Sequence, residues 1–216
     1  FEYINSMPIS QILIDNLEAD DVIAHINNLS YFKEWQKIIV SSDKDFIQLC
    51  DENTVLFRPI QDEVLNSKRI VEQYGIHPVN FALARAVCGD KSDNLDGVGG
   101  VGLKTIAKRF PFLAEEKQHS IASLLEACRE TETKLKVHEN IMDKTSLIDN
   151  NYLLMQLYFP SMSPLAKQKI KNSVEDLDYS FNKTGVKSMM AEDGFIAYDW
   201  STLYQTFQRI ISNERD

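Results

Sequence analysis

Cysteine is scarce: 216 residues hold only Cys50, Cys88 and Cys128, an odd number at wide spacing with no CxxC pair. That excludes a disulfide framework and fits reduced thiols in a cytosol. The four histidines, His25, His77, His119 and His138, are scattered, so zinc is offered no Cys/His set. No apolar run approaches the roughly 20 residues that cross a bilayer. Residues 1–15 also lack the basic start and apolar core of a signal peptide. Together these absences predict a cytoplasmic protein with no membrane partner. No segment repeats at a fixed period and none is of low complexity. Basic charge is in deficit, with 23 Lys+Arg against 32 Asp+Glu and a net charge of −9. Coating nucleic acid by bulk attraction is thereby excluded, and only a local basic surface stays open. What is present, 44% hydrophobic and 25% charged residues, suffices for one large domain or two small ones.

The apolar run Ile12-Leu13-Ile14 predicts a strand, and Val22, Ile26 and Leu29 at i, i+4, i+7 predict a helix over about 18–29. Lys37 to Ser41 and Thr54 to Phe57, β-branched and apolar, read as strands buried on both faces. Residues 11–58 thus predict βαβ units in a parallel sheet. The chain opens at Phe1 in mid-pattern, so that sheet is expected to be incomplete at the amino terminus. From Ser67 onward strands vanish and helices are expected at 67–74, 78–87, 104–109 and 121–129, the second with Pro78 at its start. Weaker helical spacing marks 152–158 and 201–211, the latter through Leu203, Phe207, Ile210 and Ile211, while 172–194 reads as loop. The expected organisation is an α/β part over 1–66 and a helical part over 67–216.

The acids fall at particular places in this pattern. Glu18, Asp20 and Asp21 open the first long helix, Asp43 and Asp45 follow the strand at 37–41, and Asp90 and Asp93 open a glycine-rich turn. Open parallel sheets bind ligands beyond the carboxyl ends of their strands, which directs the first two groups to one place. Each group has an ordinary reading: Asp15 and Glu18 as a capping pair, Asp43 as the cap of a helix near Phe46, Asp90 and Asp93 as turn residues. Seven carboxylates held close together would instead repel one another unless cations sat among them. Hard oxygen ligands suit Mg²⁺ or Mn²⁺, and two such ions about 4 Å apart can activate water and stabilise a leaving oxygen in phosphodiester cleavage.

Gly97-Val98-Gly99-Gly100-Val101-Gly102 spells GxGxxG, yet no strand precedes it, so the dinucleotide-binding reading fails. A phosphate loop of Walker type fails too, because Leu103 separates Gly102 from Lys104. The pattern instead predicts a helix, a glycine hairpin and a second helix starting near Lys104. Exposed backbone N–H groups there can grip a nucleic-acid backbone without reading its sequence. Lys91, Lys104, Lys108 and Arg109 give this stretch a basic side. A hairpin that merely reverses the chain is the competing reading.

Four stretches in order, Glu18-Ala19-Asp20-Asp21, Ser41-Ser42-Asp43-Lys44-Asp45-Phe46-Ile47-Gln48-Leu49, Tyr74-Gly75-Ile76-His77-Pro78 and Gly89 to Thr105, resemble the flap endonuclease and 5′-3′ exonuclease family. The resemblance covers about residues 8–110 and is nearest to the bacterial and phage branch, which includes the phage-type ribonuclease H that removes RNA primers. It implies a PIN-like, resolvase-like α/β domain followed by a helix-three-turn-helix element. The implied function is a structure-specific 5′ nuclease of DNA replication or repair using two Mg²⁺ or Mn²⁺ ions, in a bacterial or phage-infected cell. Positions matching Glu18, Asp20 and Asp21 belong in the family largely to the first metal site, and those matching Asp43, Asp45, Asp90 and Asp93 to the second. The segment 89–109 would hold duplex DNA through Lys91, Gly97, Gly99, Gly100, Gly102, Lys104, Thr105 and Lys108, with K⁺ at the hairpin. Implied partners are branched or nicked duplex DNA, an RNA–DNA hybrid, and replication proteins such as a single-strand binding protein or sliding clamp. The family's opening strand with its Asp, a second Asp and a basic helical arch find no match in the chain, so weak activity or none is expected of it alone. Two rival functions are a non-catalytic, structure-specific DNA-binding module and a PIN-type ribonuclease, the second disfavoured by the hairpin.

Overall fold

The computed structural model describes residues 2–132, 135–175, 180–195 and 199–213. The chain forms two compact units, one of Glu18–Ser161 and one of Phe1–Leu17 with Met162–Asp216. The change from α/β to helical pattern expected at residue 66 lies inside the larger unit.

After a one-turn helix α1 (Glu2–Asn5) in the smaller unit, the larger unit opens with α2 (Ala19–Asn27), which buries Val22, Ala24 and Asn27. Next come β1 (Lys37–Val40), a 3₁₀ helix at Asp45–Leu49, β2 (Thr54–Arg58) and β3 (Glu63–Leu65). β1 and β2 run parallel, with Lys37 opposite Thr54 and Val40 opposite Phe57. β3 returns antiparallel, Leu65 opposite Leu56, after a turn in which Asp62 takes a φ of 49°. The sheet is therefore mixed rather than purely parallel.

Two expectations about strands fail for one reason, the need for partners. Ile12–Ile14 forms no strand, pairing with nothing among the described residues, and Leu13 is exposed. β1 is not buried on both faces: Ile39 points inward, while Ile38 and Val40 stand 62% and 63% exposed. β2 alternates cleanly, with Thr54, Leu56 and Arg58 buried.

Helices supply the rest of the larger unit. Asn66 caps α3 (Ser67–Tyr74) by accepting from the Arg69 N–H, and Gly75 ends it in the left-handed region. A 3₁₀ turn at Pro78–Asn80 leads into α4 (Phe81–Cys88), apolar nearly all round and correspondingly buried. Then follow α5 (Leu103–Arg109), α6 (Ile121–Glu130) with a Ser120/Ser123 capping box, α7 (Lys136–Asp143) and α8 (Thr145–Met155), which packs along α4. One core joins sheet and helices: Ile47, Leu56, Leu65, Ile70, Phe81, Ile106 and Phe110 are fully buried within it. Buried Gln48 fastens the 3₁₀ helix to the end of α8, donating to Met155 O at 2.9 Å and accepting from Leu157 N at 2.7 Å.

The helix expected at 152–158 lies earlier, as α8. Its buried positions are Ile148, Asn151 and Met155, whereas Leu153 and Leu154, inside the expected span, are exposed. In the smaller unit the loop expected at 172–194 holds the end of α9 (Pro164–Glu175) and all of α10 (Lys183–Glu192), while its residues 176–179 lie outside the described residues. Sparse apolar positions hid them: Ala166 and Ile170 are the buried anchors of α9, and Val186 that of α10, which Asn182 caps through the Gly185 N–H. α11 (Trp200–Asn213) follows, and the Phe181 ring packs against Tyr204 and Phe207. Among the described residues no helix is long and apolar enough to cross a membrane.

Candidate active site

Beyond the carboxyl end of β1 the chain turns twice on its own side chains. Ser41 Oγ accepts the Asp43 N–H at 3.1 Å, and the Asp43 carboxylate accepts the Asp45 N–H at 2.9 Å. Asp43, itself exposed, thus does the turn work of the ordinary reading, although the helix it introduces is 3₁₀ and starts at Asp45. Asp45 is fixed because the next four residues, Phe46 to Leu49, are all buried.

The second part of the site comes from α4 and the turn after it. Gly89, at φ 71°, donates its N–H to Arg85 O, and Asp90 and Leu95 bond to each other across the loop at 2.9 and 2.7 Å. Gly97 is dictated by space, since a Cβ there would lie 1.9 Å from the Cys88 carbonyl oxygen. Inside the loop the Asp90 carboxylate accepts the Ser92 N–H at 2.8 Å and the Ser92 hydroxyl.

These two stretches bring Asp45, Asp90 and Asp93 together, each presenting a carboxylate oxygen within 4.8 Å of the others. Arg85 of α4 bridges two of them, donating to Asp45 at 3.0 Å and to Asp90, with its side chain 13% exposed. The electrostatics are unequal. Bonds from the Ser92 hydroxyl and N–H, with Arg85 adding to them, hold Asp90 down at about 2. Burial pushes Asp45 up, and the Asp43 and Asp90 charges add to this against Arg85. Burial alone would lower Arg85, but the two carboxylates outweigh it and keep the guanidinium charged. One cation therefore leaves the cluster with surplus negative charge, all of it on hard oxygen donors, with Asp93 open to solvent. This donor set fits Mg²⁺ or Mn²⁺.

The other expected acids are not part of this triple. Glu18 occupies the N-cap position of α2, exposed and making no side-chain cap bond, so the capping reading of Glu18 has no support. Asp20 and Asp21 sit in the first turn of α2, where partial burial and the Asp20 charge raise Asp21. Arg85 is the residue that sequence reasoning passed over. Its signal was present as the single charge in the apolar run Phe81 to Val87.

In the hairpin the valines turn inward and the glycines outward. Val98 and Val101 are buried, and the Val101 N–H closes onto Val98 O at 3.0 Å. Gly99, Gly100 and Gly102 are exposed, and a Cβ on any of them would meet nothing within 4 Å. Of these three only Gly100 has a positive φ, 77°. Lys91, Lys104 and Lys108 are exposed around the hairpin, Thr105 is half-buried, and α5 begins at Leu103, as nearly expected.

Residues 1–75 match the sequence family described as 5′-3′ exonuclease, N-terminal resolvase-like domain. Over that segment the chain is similar to the 5′-3′ exonucleases. A 5′-3′ exonuclease of Aquifex aeolicus is 29% identical over 178 residues, 81% of this chain and 58% of that protein. A 5′-3′ exonuclease of Buchnera aphidicola (subsp. Schizaphis graminum) is 37% identical over 113 residues, 51% of this chain and 39% of that protein. The chain thus spans about half the length of these exonuclease relatives. Its fold is similar to a flap endonuclease of bacteriophage T5, solved as a pseudo-enzyme–product complex with DNA and metal ions. That similarity has a TM-score of 0.61 at 19% identity and covers 76% of this chain and 61% of the T5 chain.

Proposed function

We propose that this chain is the metal-binding and duplex-gripping part of a structure-specific 5′ nuclease, a 5′-3′ exonuclease or flap endonuclease that hydrolyses phosphodiesters in DNA replication or repair. The observation that carries the reading is the convergence of Asp45, Asp90 and Asp93 from two distant stretches onto one place that Arg85 neutralises only in part. The T5 neighbour, solved with DNA and metal ions, supports the same reading.

Asp43, Asp45, Asp90 and Asp93 would hold one divalent ion, and Glu18, Asp20 and Asp21 would contribute to a second, directly or through water. Mg²⁺ or Mn²⁺ bound there would supply a water of lowered pKa and Lewis-acid stabilisation of charge on the phosphate. The protein's own part is to preorganise. Ser92 and Arg85 keep Asp90 ionised, and Arg85 holds Asp45 and Asp90 at a separation their charges would otherwise oppose. At the hairpin, Gly99 and Gly102 are required neither by φ nor by neighbouring atoms, which supports close approach by something outside the chain. A phosphate backbone would meet Gly97, Gly99, Gly100 and Gly102, with Lys91, Lys104, Thr105 and Lys108 around it and K⁺ completing the contact. The substrate would be branched or nicked duplex DNA or an RNA–DNA hybrid, in the cytoplasm of a bacterial or phage-infected cell, alongside a single-strand binding protein or clamp.

The test is a labelled 5′-flap duplex with Mg²⁺ or Mn²⁺, offered to this chain alone and to a form extended at its amino terminus, each with and without Asp90→Ala/Asp93→Ala. Cleavage by the extended form that disappears in the double variant is the expected result. Duplex binding with no cleavage by either form would favour the non-catalytic binding module instead.

A further inference from the structure

We infer that Asn151, on α8, is a positioning residue for the acidic site, its side-chain amide setting the geometry of the loop that carries Asp90 and Asp93; the inference rests on the metal reading above. Asn151 is 2% exposed, and its Nδ2 donates to Ala86 O at 2.9 Å and to Asp96 O at 2.8 Å. One carbonyl stands in the last turn of α4, just before the loop, and the other near the loop's far end. Ala86 directly follows Arg85, and Asp96 directly follows Leu95, which closes the bridge to Asp90.

The last carbonyls of a helix have no intrahelical partner and must find one elsewhere. At the end of α4, Arg85 O takes the Gly89 N–H at 2.8 Å and Val87 O takes the Val98 N–H at 2.8 Å. Ala86 O, between them, is taken by Asn151. One planar amide with two N–H donors therefore ties the helix that presents Arg85 to the far end of the acidic loop. Packing does not explain the residue type. On α8 the buried positions are Ile148, Asn151 and Met155, a stripe against α4 in which an apolar side chain would serve better than an amide. Hydrogen bonding to the loop does explain it.

A second buried asparagine provides the control. Asn80, 0% exposed, donates to Leu113, Glu115 and Lys117 carbonyls and accepts the His119 N–H, holding a loop that carries none of the proposed site acids. Its loss should weaken the fold without touching the acidic loop.

The experiment compares the unaltered chain with Asn151→Asp, Asn151→Ala and Asn80→Asp by two readouts. Hydrogen exchange in EDTA follows the Asp90 and Leu95 amides, and electron paramagnetic resonance follows Mn²⁺ binding. In both Asn151 variants those amides should exchange at least about tenfold faster, and Mn²⁺ should bind about tenfold more weakly, as when a residue supporting a metal ligand is lost. Asn80→Asp should leave both readouts within about twofold even where its unfolding temperature falls as far. Unchanged loop exchange or unchanged Mn²⁺ affinity in folded Asn151→Ala would overturn the inference and leave Asn151 a packing residue. Should the unaltered chain bind no Mn²⁺ that Asp90→Ala abolishes, the metal reading fails. Exchange in EDTA would then still decide whether Asn151 sets the loop.

Discussion

At the scale of single residues the site is a problem in charge compensation. Arg85 faces two carboxylates in a place only 13% exposed, so its removal leaves Asp45 and Asp90 opposed with no cation between them. Arg85→Ala should lower stability in EDTA by about 3 kcal/mol, the low end for breaking a buried pair. Saturating Mn²⁺ should restore most of that loss, because an ion can take over the compensation. Urea unfolding with and without Mn²⁺ checks this, and a loss that Mn²⁺ leaves untouched would count against metal binding at the triple. The same residues set an acid limb. Asp90 is held at about 2, below the ordinary carboxylate value of about 3.9. Its contribution is complete above pH ~4 and is lost as pH falls through about 2. Asp45 has the opposite sign: raised by burial, it weakens the fold when ionised, a cost relieved as pH falls through its raised value. Denaturation in EDTA across this range should therefore show a drop below pH ~4 that Asp90→Asn makes smaller.

At the scale of elements, the hairpin separates glycines needed for folding from those that folding leaves free. Gly99→Ala meets no atom within 4 Å and breaks no φ requirement, so stability should change by less than about 0.5 kcal/mol. Affinity for duplex DNA should nonetheless fall. Gly97→Ala pushes a methyl onto the Cys88 carbonyl and should cost about 2–3 kcal/mol whatever is bound. Thermal unfolding beside duplex binding by anisotropy distinguishes the two, and equal losses of stability would refute the distinction. The sequence made this element legible because capping, glycine and basic residues follow one another locally, and α3, α4, α5 and α6 lie close to their expected spans for the same reason. What depended on distant partners was not legible. The Ile12–Ile14 run found no strand to pair with, and α9 and α10 are held by a few buried residues each. Arg85 was missed on the same account: its role exists only once α4 stands beside the loop after β1.

At the scale of the molecule, a net charge of −9 has to be reconciled with the proposed polyanionic ligand. Bulk attraction is unavailable, so the proposed binding would run through the few exposed cations near the hairpin, Lys91, Lys104, Lys108 and Arg109. Each phosphate neutralised on duplex DNA contributes about 0.9 to the slope of log affinity against log salt. Four contacts then predict a slope of about −3 to −4, shallow beside that of proteins that coat DNA. Lys104→Ala/Lys108→Ala should reduce it by about 2, since each lost phosphate contact removes about one unit. Affinity should fall alike on every duplex sequence, because backbone contacts position a protein without reading bases. Anisotropy titrations between about 50 and 200 mM salt measure both quantities. A slope that the double variant leaves unchanged would move the duplex-binding surface away from the hairpin. The acidic triple would then have to be approached from another face.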